Sequence, residues 1–365
     1  TSDKGYGYLT SAQICEAIKA AMVDPENQVT GIYDGDVMRT ILYVDMSELK
    51  SISGSEDSWK ELMLGTADNC LFFMPSGFSV SQSMVGGGIV AGGANGTAVT
   101  DIVIVDQQPF YSPYNFYTST HYAQYKRTQK GSTDVTVNHS TIVLPFIMNL
   151  SAAGKPKPTS DSENENVTYY KLVDVQTGKA ENLVAEPVTG GKALAYMPYH
   201  VRSTGKTETT SFEIEAQGVT FVSTKDYDGD LVSDNSDILT GHGSMFGVSV
   251  PKEQGILYFT KEYFLNSATL SNGATTVKIL PYRAYYTMPT PSNVSRFGVF
   301  FTDKADNNDD SENMVSDDAG IIDGIDTLER ENTETVWYNL NGQQLNERPT
   351  MRGIYVVKGK KILVK

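Results

Sequence analysis

The sequence predicts a mainly β protein of several domains, and three observations lead to this fold class. Short β-branched and aromatic runs recur along the 365 residues, turn residues separate them, and one convincing helical pattern occurs near the N-terminus. A chain of this length favours two or three domains. We expect an N-terminal repeat-like α/β region at residues 1–108 and a central antiparallel β-sandwich or jelly-roll-like domain at 109–303. An acidic linker at 304–320 and a small antiparallel β domain at 321–365 follow.

The N-terminal region carries the one clear helix signal. Thr10 and Gln13 fit a capping box, apolar residues then share one helical face, and Asp24-Pro25 ends the pattern, which predicts a helix over residues 11–22. Short apolar runs follow at 41–44, 71–74 and 102–105. Their recurrence at about thirty residues predicts a degenerate repeat in which strands stack through irregular connections.

The central region is dense in strand signals. Residues 211–216 alternate between apolar and polar, so one face is expected in a core and one in water. Ser271-Asn272-Gly273 predicts a hairpin between residues 264–265 and 277–280. No long helical pattern intervenes, which favours a β-sandwich. Residues 304–320 are polar and acidic, as is typical of a linker.

The C-terminal residues predict two β-hairpins. Asn341-Gly342 is the pair that most readily forms a type I′ turn, and it lies between two strand-like runs. Lys358-Gly359 separates residues 353–357 from 361–364 in the same way. Such a small unit buries little apolar surface, so it either docks on the preceding chain or serves as a tag that other proteins recognise.

Charge and hydropathy exclude some partners. The chain has 44 acidic and 29 basic residues, a formal net charge of -15, so we expect no nucleic-acid partner. No apolar run is long enough to cross a bilayer, and we therefore expect no transmembrane segment in this chain. Because the numbering begins at Thr1, we expect that a signal segment precedes it. We expect a monomer.

Residue types that carry catalysis or bind metals show no convincing pattern. The four histidines lack metal-ligand spacing, and no serine lies in a nucleophile elbow, so no catalytic residue or cofactor is predicted. Asp226, Asp228 and Asp230 resemble the start of a calcium loop. The glycine is at the wrong position and no glutamate closes the loop, which favours an acidic hairpin tip over a calcium site. Buried thiols are favoured for Cys15 and Cys70 over a disulfide, and whether they pair stays open.

Aromatic residues crowd into positions 110–125, around Pro109 and Pro113. As exposed rings they would stack on sugars or line a protein interface. As buried rings they would form the seam between the first two domains, the interpretation that we favour. The candidate binding residues are Tyr111, Tyr114, Phe116, Tyr117 and Tyr122.

The C-terminal residues resemble a known kind of domain. Residues 336–343, 352–357 and 360–365 are similar to the C-terminal sorting domain of secreted and surface proteins of the Bacteroidota. Shorter motifs resemble the non-repeat part of leucine-rich-repeat-associated (BspA-like) surface proteins of these bacteria: NCLFFMP, FYSP, YKRT, TIVLPF, MPY and PYRAY, which begin at residues 69, 110, 125, 141, 197 and 281.

This resemblance implies an exported, non-catalytic protein of the outer-membrane surface or the extracellular space. Adhesion, or binding of a host protein or a glycan, is the function it implies. A carbohydrate-active hydrolase, or its carbohydrate-binding accessory module, is the alternative. Two carboxylates facing each other across a cleft would favour the hydrolase, and a flat aromatic patch would favour binding. Sorting domains of this kind are normally removed during secretion, so the chain is a precursor or keeps the domain as a structural cap.

Overall fold

The fold is described from a computed structural model of the chain. It describes residues 8–10, 13–14, 16–17, 20, 42–53, 68–80, 87–128, 138–150, 166–176, 181–204, 211–225, 238–260, 263–270, 275–289, 294–303, 337–338, 344–345, 353–357 and 360–364.

Strands dominate the described residues, which confirms the mainly β prediction. Up to residue 303 they are β1 (Tyr8–Thr10), β2 (Tyr43–Asp45), β3 (Ser51–Ser53), β4 (Leu71–Met74), β5 (Gly88–Ala91), β6 (Gly96–Ala98), β7 (Ile102–Val105), β8 (Phe116–Tyr117), β9 (Tyr122–Thr128), β10 (Asn138–Ile142), β11 (Phe146–Asn149), β12 (Asn166–Gln176), β13 (Asn182–Pro187), β14 (Lys192–Ala193), β15 (Tyr199–Thr204), β16 (Ser211–Gln217), β17 (Thr220–Phe221), β18 (Thr240–Gly243), β19 (Val248–Pro251), β20 (Ile256–Phe259), β21 (Phe264–Asn266), β22 (Thr276–Ile279), β23 (Ala284–Thr287) and β24 (Arg296–Phe301). Near the C-terminus they are β25 (Trp337–Tyr338), β26 (Gln344–Leu345), β27 (Gly353–Val357) and β28 (Lys360–Val364).

Contacts divide the chain into two compact units, Thr1–Asp326 and Thr327–Lys365. In the predicted helix over residues 11–22, the described residues 13, 14, 16, 17 and 20 are helical and the others lie outside the description, so its extent stays a prediction. The acidic linker at 304–320 also lies outside the described residues.

An eight-stranded sheet combines strands from both sides of residue 108, in the order β14-β11-β17-β8-β6-β5-β4-β2. Strands β2, β4 and β5 pair in parallel, and β6 pairs with β8 in parallel. The predicted boundary at residue 108 therefore lies within a region whose strands share one sheet.

Strand β4 is buried on both faces. Leu71 and Phe73 belong to the main core, whereas Phe72 and Met74 belong to a second core that also contains Cys70. A strand with no solvent-exposed face needs apolar residues at every position, which explains the sequence Leu-Phe-Phe-Met. Cys15 lies outside the described residues, so the preference for two buried thiols over a disulfide stays a prediction.

A nine-stranded sheet, in the order β10-β15-β12-β13-β24-β21-β20-β23-β18, faces the same main core. All its pairs are antiparallel except β13 with β24. The sheet curves until its first strand, β10, meets β23: the Ala284 amide donates to Thr141 Oγ1 at 3.1 Å. Just beyond β10, the Val143 amide donates to the Tyr282 carbonyl at 3.1 Å. The fold is therefore sandwich-like and has one strongly curved layer.

Smaller sheets complete the first unit. In the sheet β16-β9-β7, Ile214 and Ala216 are buried and Glu215 is half-buried between them, as the alternation of residues 211–216 predicts. The predicted hairpin around residues 271–273 is wrong, because β21 pairs with β20 and β24 while β22 pairs with β19. A short 3-10 helix at Ser267–Thr269, capped by the Asn266 side chain, follows directly after β21.

The second unit is a four-stranded antiparallel sheet in the order β26-β25-β27-β28. Strand β25 pairs with β26, and β27 pairs with β28. These pairings confirm the two predicted hairpins, whose turn residues lie outside the described residues.

Candidate functional site

The loop between β7 and β8 carries two of the five candidate residues, Tyr111 and Tyr114, and hydrogen bonds hold it against residues 222–224. The Ser112 amide donates to Thr224 Oγ1 at 3.0 Å, and the Thr224 amide returns a bond to the Ser112 carbonyl at 2.8 Å. The Ser223 amide donates to Asn115 Oδ1 at 2.7 Å. Pro109 and Pro113 restrict the backbone further. The loop therefore presents its side chains in a fixed arrangement.

Three aromatic side chains form a partly exposed surface, which we call the aromatic patch: Tyr43, Tyr111 and Phe246. The Tyr111 ring lies 5.5 Å from the Tyr43 ring and 6.3 Å from the Phe246 ring, between centroids. Tyr43 is 41% exposed and Phe246 is 39% exposed. The Phe110 amide donates to the Met245 carbonyl at 3.1 Å, which ties together the two loops that carry Tyr111 and Phe246.

A carboxylate lies beside the patch. Asp45 is two residues from Tyr43 on β2, so both side chains lie on the same face of that strand. The Tyr114 hydroxyl donates to Asp45 Oδ2 at 2.7 Å, while Asp45 Oδ1 accepts from the Ser47 amide at 3.0 Å. The hydrogen bond to Asp45, followed by partial burial and the charge of Asp45, raises the pKa of Tyr114 to about 12. The carboxylate is exposed and retains room for further donors.

The predicted candidates separate into different environments. Tyr111 and Tyr114 are half-buried at the patch, whereas Phe116 is buried and stacks on Phe221 at 4.5 Å between centroids. Tyr117 is 45% exposed, so its expected burial in a seam is wrong; it projects from the outer face of β8. Tyr122 is also exposed, and within the described chain neither residue makes a ring contact with the patch.

Sequence reasoning missed Tyr43, Asp45 and Phe246. Tyr43 lies within an apolar run and Phe246 lies in the short bend between β18 and β19, so each looks ordinary in its local context. They meet Tyr111 only because β2 and the loop after β18 approach the same loop. No local periodicity carries that information.

An open pocket of about 610 Å³ lies over the sheet β16-β9-β7. Two carboxylates line it, Asp106 and Glu215. Asp106 accepts two hydrogen bonds from the Arg283 guanidinium, at 2.7 and 2.8 Å, and one from the Tyr125 hydroxyl at 2.6 Å.

These contacts fix the protonation state of Asp106. Burial alone would raise the pKa of Asp106, but the charge and hydrogen bonds of Arg283, together with the charge of Arg127 and the hydrogen bond from Tyr125, outweigh burial and lower it. A general acid in a glycosidase needs the opposite shift. Asp106 is therefore an ionised structural group.

No group of three or more metal-ligating side chains occurs within the described ranges. Asp226, Asp228 and Asp230 lie outside them, so the weak calcium prediction stays a prediction. Among the residues that the structure covers, no helix is both long and apolar enough to cross a membrane.

The chain matches no protein-family model, no curated protein and no solved structure.

Proposed function

We propose that the chain is an exported, non-catalytic cell-surface protein that binds a glycan through the aromatic patch. The observation that carries the proposal is the contact of the Tyr111 ring with the partly exposed rings of Tyr43 and Phe246. Hydrogen bonds hold the loop that carries Tyr111 in place. Exposed aromatic rings that stay in one arrangement lose little conformational entropy when a ligand binds them.

The chemistry of the patch suits a sugar. A pyranose ring has a face of C–H groups that packs against an aromatic ring, and its rim of hydroxyls donates to acceptors such as the Asp45 carboxylate. Three partly buried rings expose much less than the roughly 800 Å² per partner of a standard protein–protein interface. The size of the patch therefore favours one or two sugar units over a folded host protein.

The negative charge of the chain limits the glycans that we propose as ligands. The net charge is -15, and the exposed Asp45 carboxylate lies at the edge of the patch. Sialylated or sulfated sugars would be repelled. We therefore propose neutral hexose-containing glycans as ligands.

The cell-surface part of the proposal is supported by the resemblance of residues 336–365 to a sorting domain. These residues fall in the second compact unit, Thr327–Lys365, and their strands form one small antiparallel sheet. Such a unit suits recognition by export proteins.

The test is a glycan array followed by calorimetric titration of the best neutral ligand. Tyr111→Ala and Phe246→Ala should each weaken binding by about tenfold or more, since each removes a stacking surface worth ~1–3 kcal/mol. Tyr117→Ala removes a tyrosine that is 45% exposed and lies outside the patch, and it serves as the control. Binding that survives Tyr111→Ala but is lost in Tyr117→Ala would place the site on the outer face of β8 and reject the patch.

A further inference from the structure

The curved nine-stranded sheet carries a group of basic side chains that the glycan proposal does not use. We call His139, His200 and Arg202 the histidine–arginine cluster. His139 on β10 is the register partner of Arg202 on β15, and His200 precedes Arg202 by two residues, so both β15 side chains lie on one face. The rings of Phe259 and Phe301 lie 5.0 and 5.7 Å from the His200 ring, between centroids.

Arg202 is a buried cation without a counter-ion in the described chain. It is only 5% exposed, and its Nε and Nη1 atoms are buried without a hydrogen-bond partner. Its guanidinium carbon lies 4.7 Å from the centre of the Phe301 ring. No carboxylate of the described residues forms an ion pair with it.

Arg283 is a buried arginine with a structural role, and it serves as the comparison for Arg202. Arg283 is 3% exposed, and Asp106 accepts from both of its terminal nitrogens at 2.7 and 2.8 Å. A buried charge is costly unless it is paired and hydrogen-bonded. Arg283 has a carboxylate partner, Asp106, whereas among the described residues Arg202 has none.

The described neighbours of Arg202 do not neutralise its charge. A hydrogen bond of 2.7 Å joins the Nδ1 atom of His139 to the Nε2 atom of His200, and the tautomers of the two rings decide which atom donates. Burial, followed by the charges of His139, Arg127 and Arg202, holds the pKa of His200 well below its usual value. Asp303 accepts from the Tyr170 hydroxyl at 2.9 Å and remains exposed. The cluster therefore has a surplus of positive charge and of hydrogen-bond donors.

We propose that the histidine–arginine cluster binds a small oxyanion, the carboxylate, phosphate or sulfate group of a ligand from solution. The Arg202 guanidinium supplies a planar fork of donors that matches such a group. His139 is half-buried and is the most exposed member of the cluster, so we expect an anion to approach from its side. This site is independent of the aromatic patch and of the glycan proposal.

The contact with Phe301 alone does not account for Arg202. A cation over an aromatic ring is stabilised, but the ring accepts none of the in-plane N–H bonds of the guanidinium. Arg296 is the useful comparison, because its guanidinium carbon lies 5.0 Å from the Tyr263 ring centre while the side chain is exposed to water. Water accepts hydrogen bonds from the guanidinium of Arg296, and at Arg202 an anion accepts them instead.

The experiment measures thermal unfolding of the full chain at pH 7 with acetate, phosphate or sulfate, each against chloride at the same ionic strength. At about ten times its Kd, a bound anion should raise the unfolding midpoint of the wild-type protein by roughly 2 °C. Arg202→Met should abolish that anion-specific rise. In chloride alone, Arg202→Met should be at least as stable as the wild type, because it removes an uncompensated buried charge.

Arg296→Met is the matched control, since it removes one charge and one cation–ring contact at an exposed position and should keep the full response. If acetate raises the unfolding midpoint at a lower concentration than the other anions, the ligand carries a carboxylate. If phosphate or sulfate does so, the ligand carries a tetrahedral oxyanion. If Arg202→Met does not fold, Arg202→Lys replaces it, because a lysine keeps the charge, lacks the fork and should weaken anion binding at least fivefold in calorimetric titration. Equal anion responses of wild type and either Arg202 variant, or no response of the wild type to any of the three anions, would overturn the proposal.

Discussion

At the scale of single residues, the ion pair between Arg283 and Asp106 connects two layers of the first unit. Asp106 follows β7 in the three-stranded sheet, and Arg283 precedes β23 in the nine-stranded sheet. The Tyr125 hydroxyl on β9 donates to the same carboxylate at 2.6 Å. Both side chains are largely shielded from water, so each charge depends on the other for compensation.

Arg283→Met should lower the free energy of unfolding by about 3–5 kcal/mol at pH 7, because it leaves the Asp106 carboxylate buried without its cation. Urea denaturation measures the loss. The double variant Asp106→Asn with Arg283→Met should recover part of it, since no charge then remains uncompensated. Arg296→Met, at an exposed site, is the control. A loss below about 1 kcal/mol, the usual worth of an exposed pair, would contradict the assigned role.

His200 makes the stability depend on pH below neutrality. Its pKa in the folded protein is held well below the usual value, chiefly by burial and then by His139, Arg127 and Arg202. Below pH 6.5 the unfolded chain binds a proton that the folded chain does not, so stability is present at neutral pH and falls as the pH drops.

From pH 6.5 to 5 the loss due to His200 should approach about 1.4 kcal/mol per pH unit, the limit for one proton. Denaturation at each pH, kept above pH 5 so that Asp106 stays ionised, gives the slope. His200→Phe, which places one more ring among phenylalanines, should flatten the curve over this range. Curves of equal slope for the two proteins would assign the pH dependence to other groups.

At the scale of elements, the start of β4 organises the three-stranded sheet. Asn69 is buried, and its Nδ2 atom donates to the carbonyls of Val105 and Gln108 at 3.1 and 2.9 Å. Its Oδ1 atom accepts from the Val105 amide at 2.7 Å. The Asn69 side chain thus satisfies the backbone amide and carbonyl of Val105 at the end of β7, on an edge with which no described strand pairs.

The glycine-rich run before β5 makes the same region compact. A Cβ on Gly87 would lie 2.5 Å from the carbonyl carbon of Asn69 and 2.5 Å from the oxygen of Cys70, both backbone atoms. Backbone cannot move aside as a flexible side chain does, so only glycine fits.

Gly87→Ala should therefore destabilise the first unit by at least about 1–3 kcal/mol, the usual cost of forcing extra volume into a packed site. Gly190→Ala is the matched control. Gly190 has a φ of +76° but nothing within 4 Å of its Cβ position, so only local backbone strain of about 1 kcal/mol is expected. Thermal unfolding compares the two variants. An equal effect would mean that Gly87 is needed for conformation and not for close approach.

At the scale of the whole molecule, the chain consists of a large first unit and a small C-terminal unit. A chain ending at Asp326 keeps every strand of the first unit. Its main unfolding midpoint should stay within about 2 °C of the full chain, since the described strands of the second unit form a sheet of their own. Differential scanning calorimetry measures it.

The same truncation tests the sorting role in the native host. The shortened chain should fold normally yet fail to reach the cell surface, measured by surface labelling of intact cells. Normal export together with aggregation or much earlier melting would show that residues 327–365 are a structural cap, and the sorting role would then be rejected.

Parts of this protein could be predicted from its sequence because their causes are local. The strand-rich character follows from β-branched and aromatic runs, the alternation at residues 211–216 follows from the two faces of a strand, and the last hairpin follows from Lys358-Gly359 between two such runs. The hairpin predicted around residues 271–273 is wrong for the opposite reason. Turn chemistry there is compatible with pairing, but β21 and β22 bind other strands.

The sequence by itself determined the fold class, the acidic charge and the C-terminal hairpins, since each depends on composition or on residues close together in the chain. Only the tertiary structure decided that Tyr117 faces water while Phe116 is buried, and that Tyr43 and Phe246 meet Tyr111. It also decided that Asp106 pairs with Arg283, while Arg202 forms no ion pair with a carboxylate of the described residues. These facts depend on which strands become neighbours. The free energy that selects neighbours is summed over the whole core, and no short segment contains that sum.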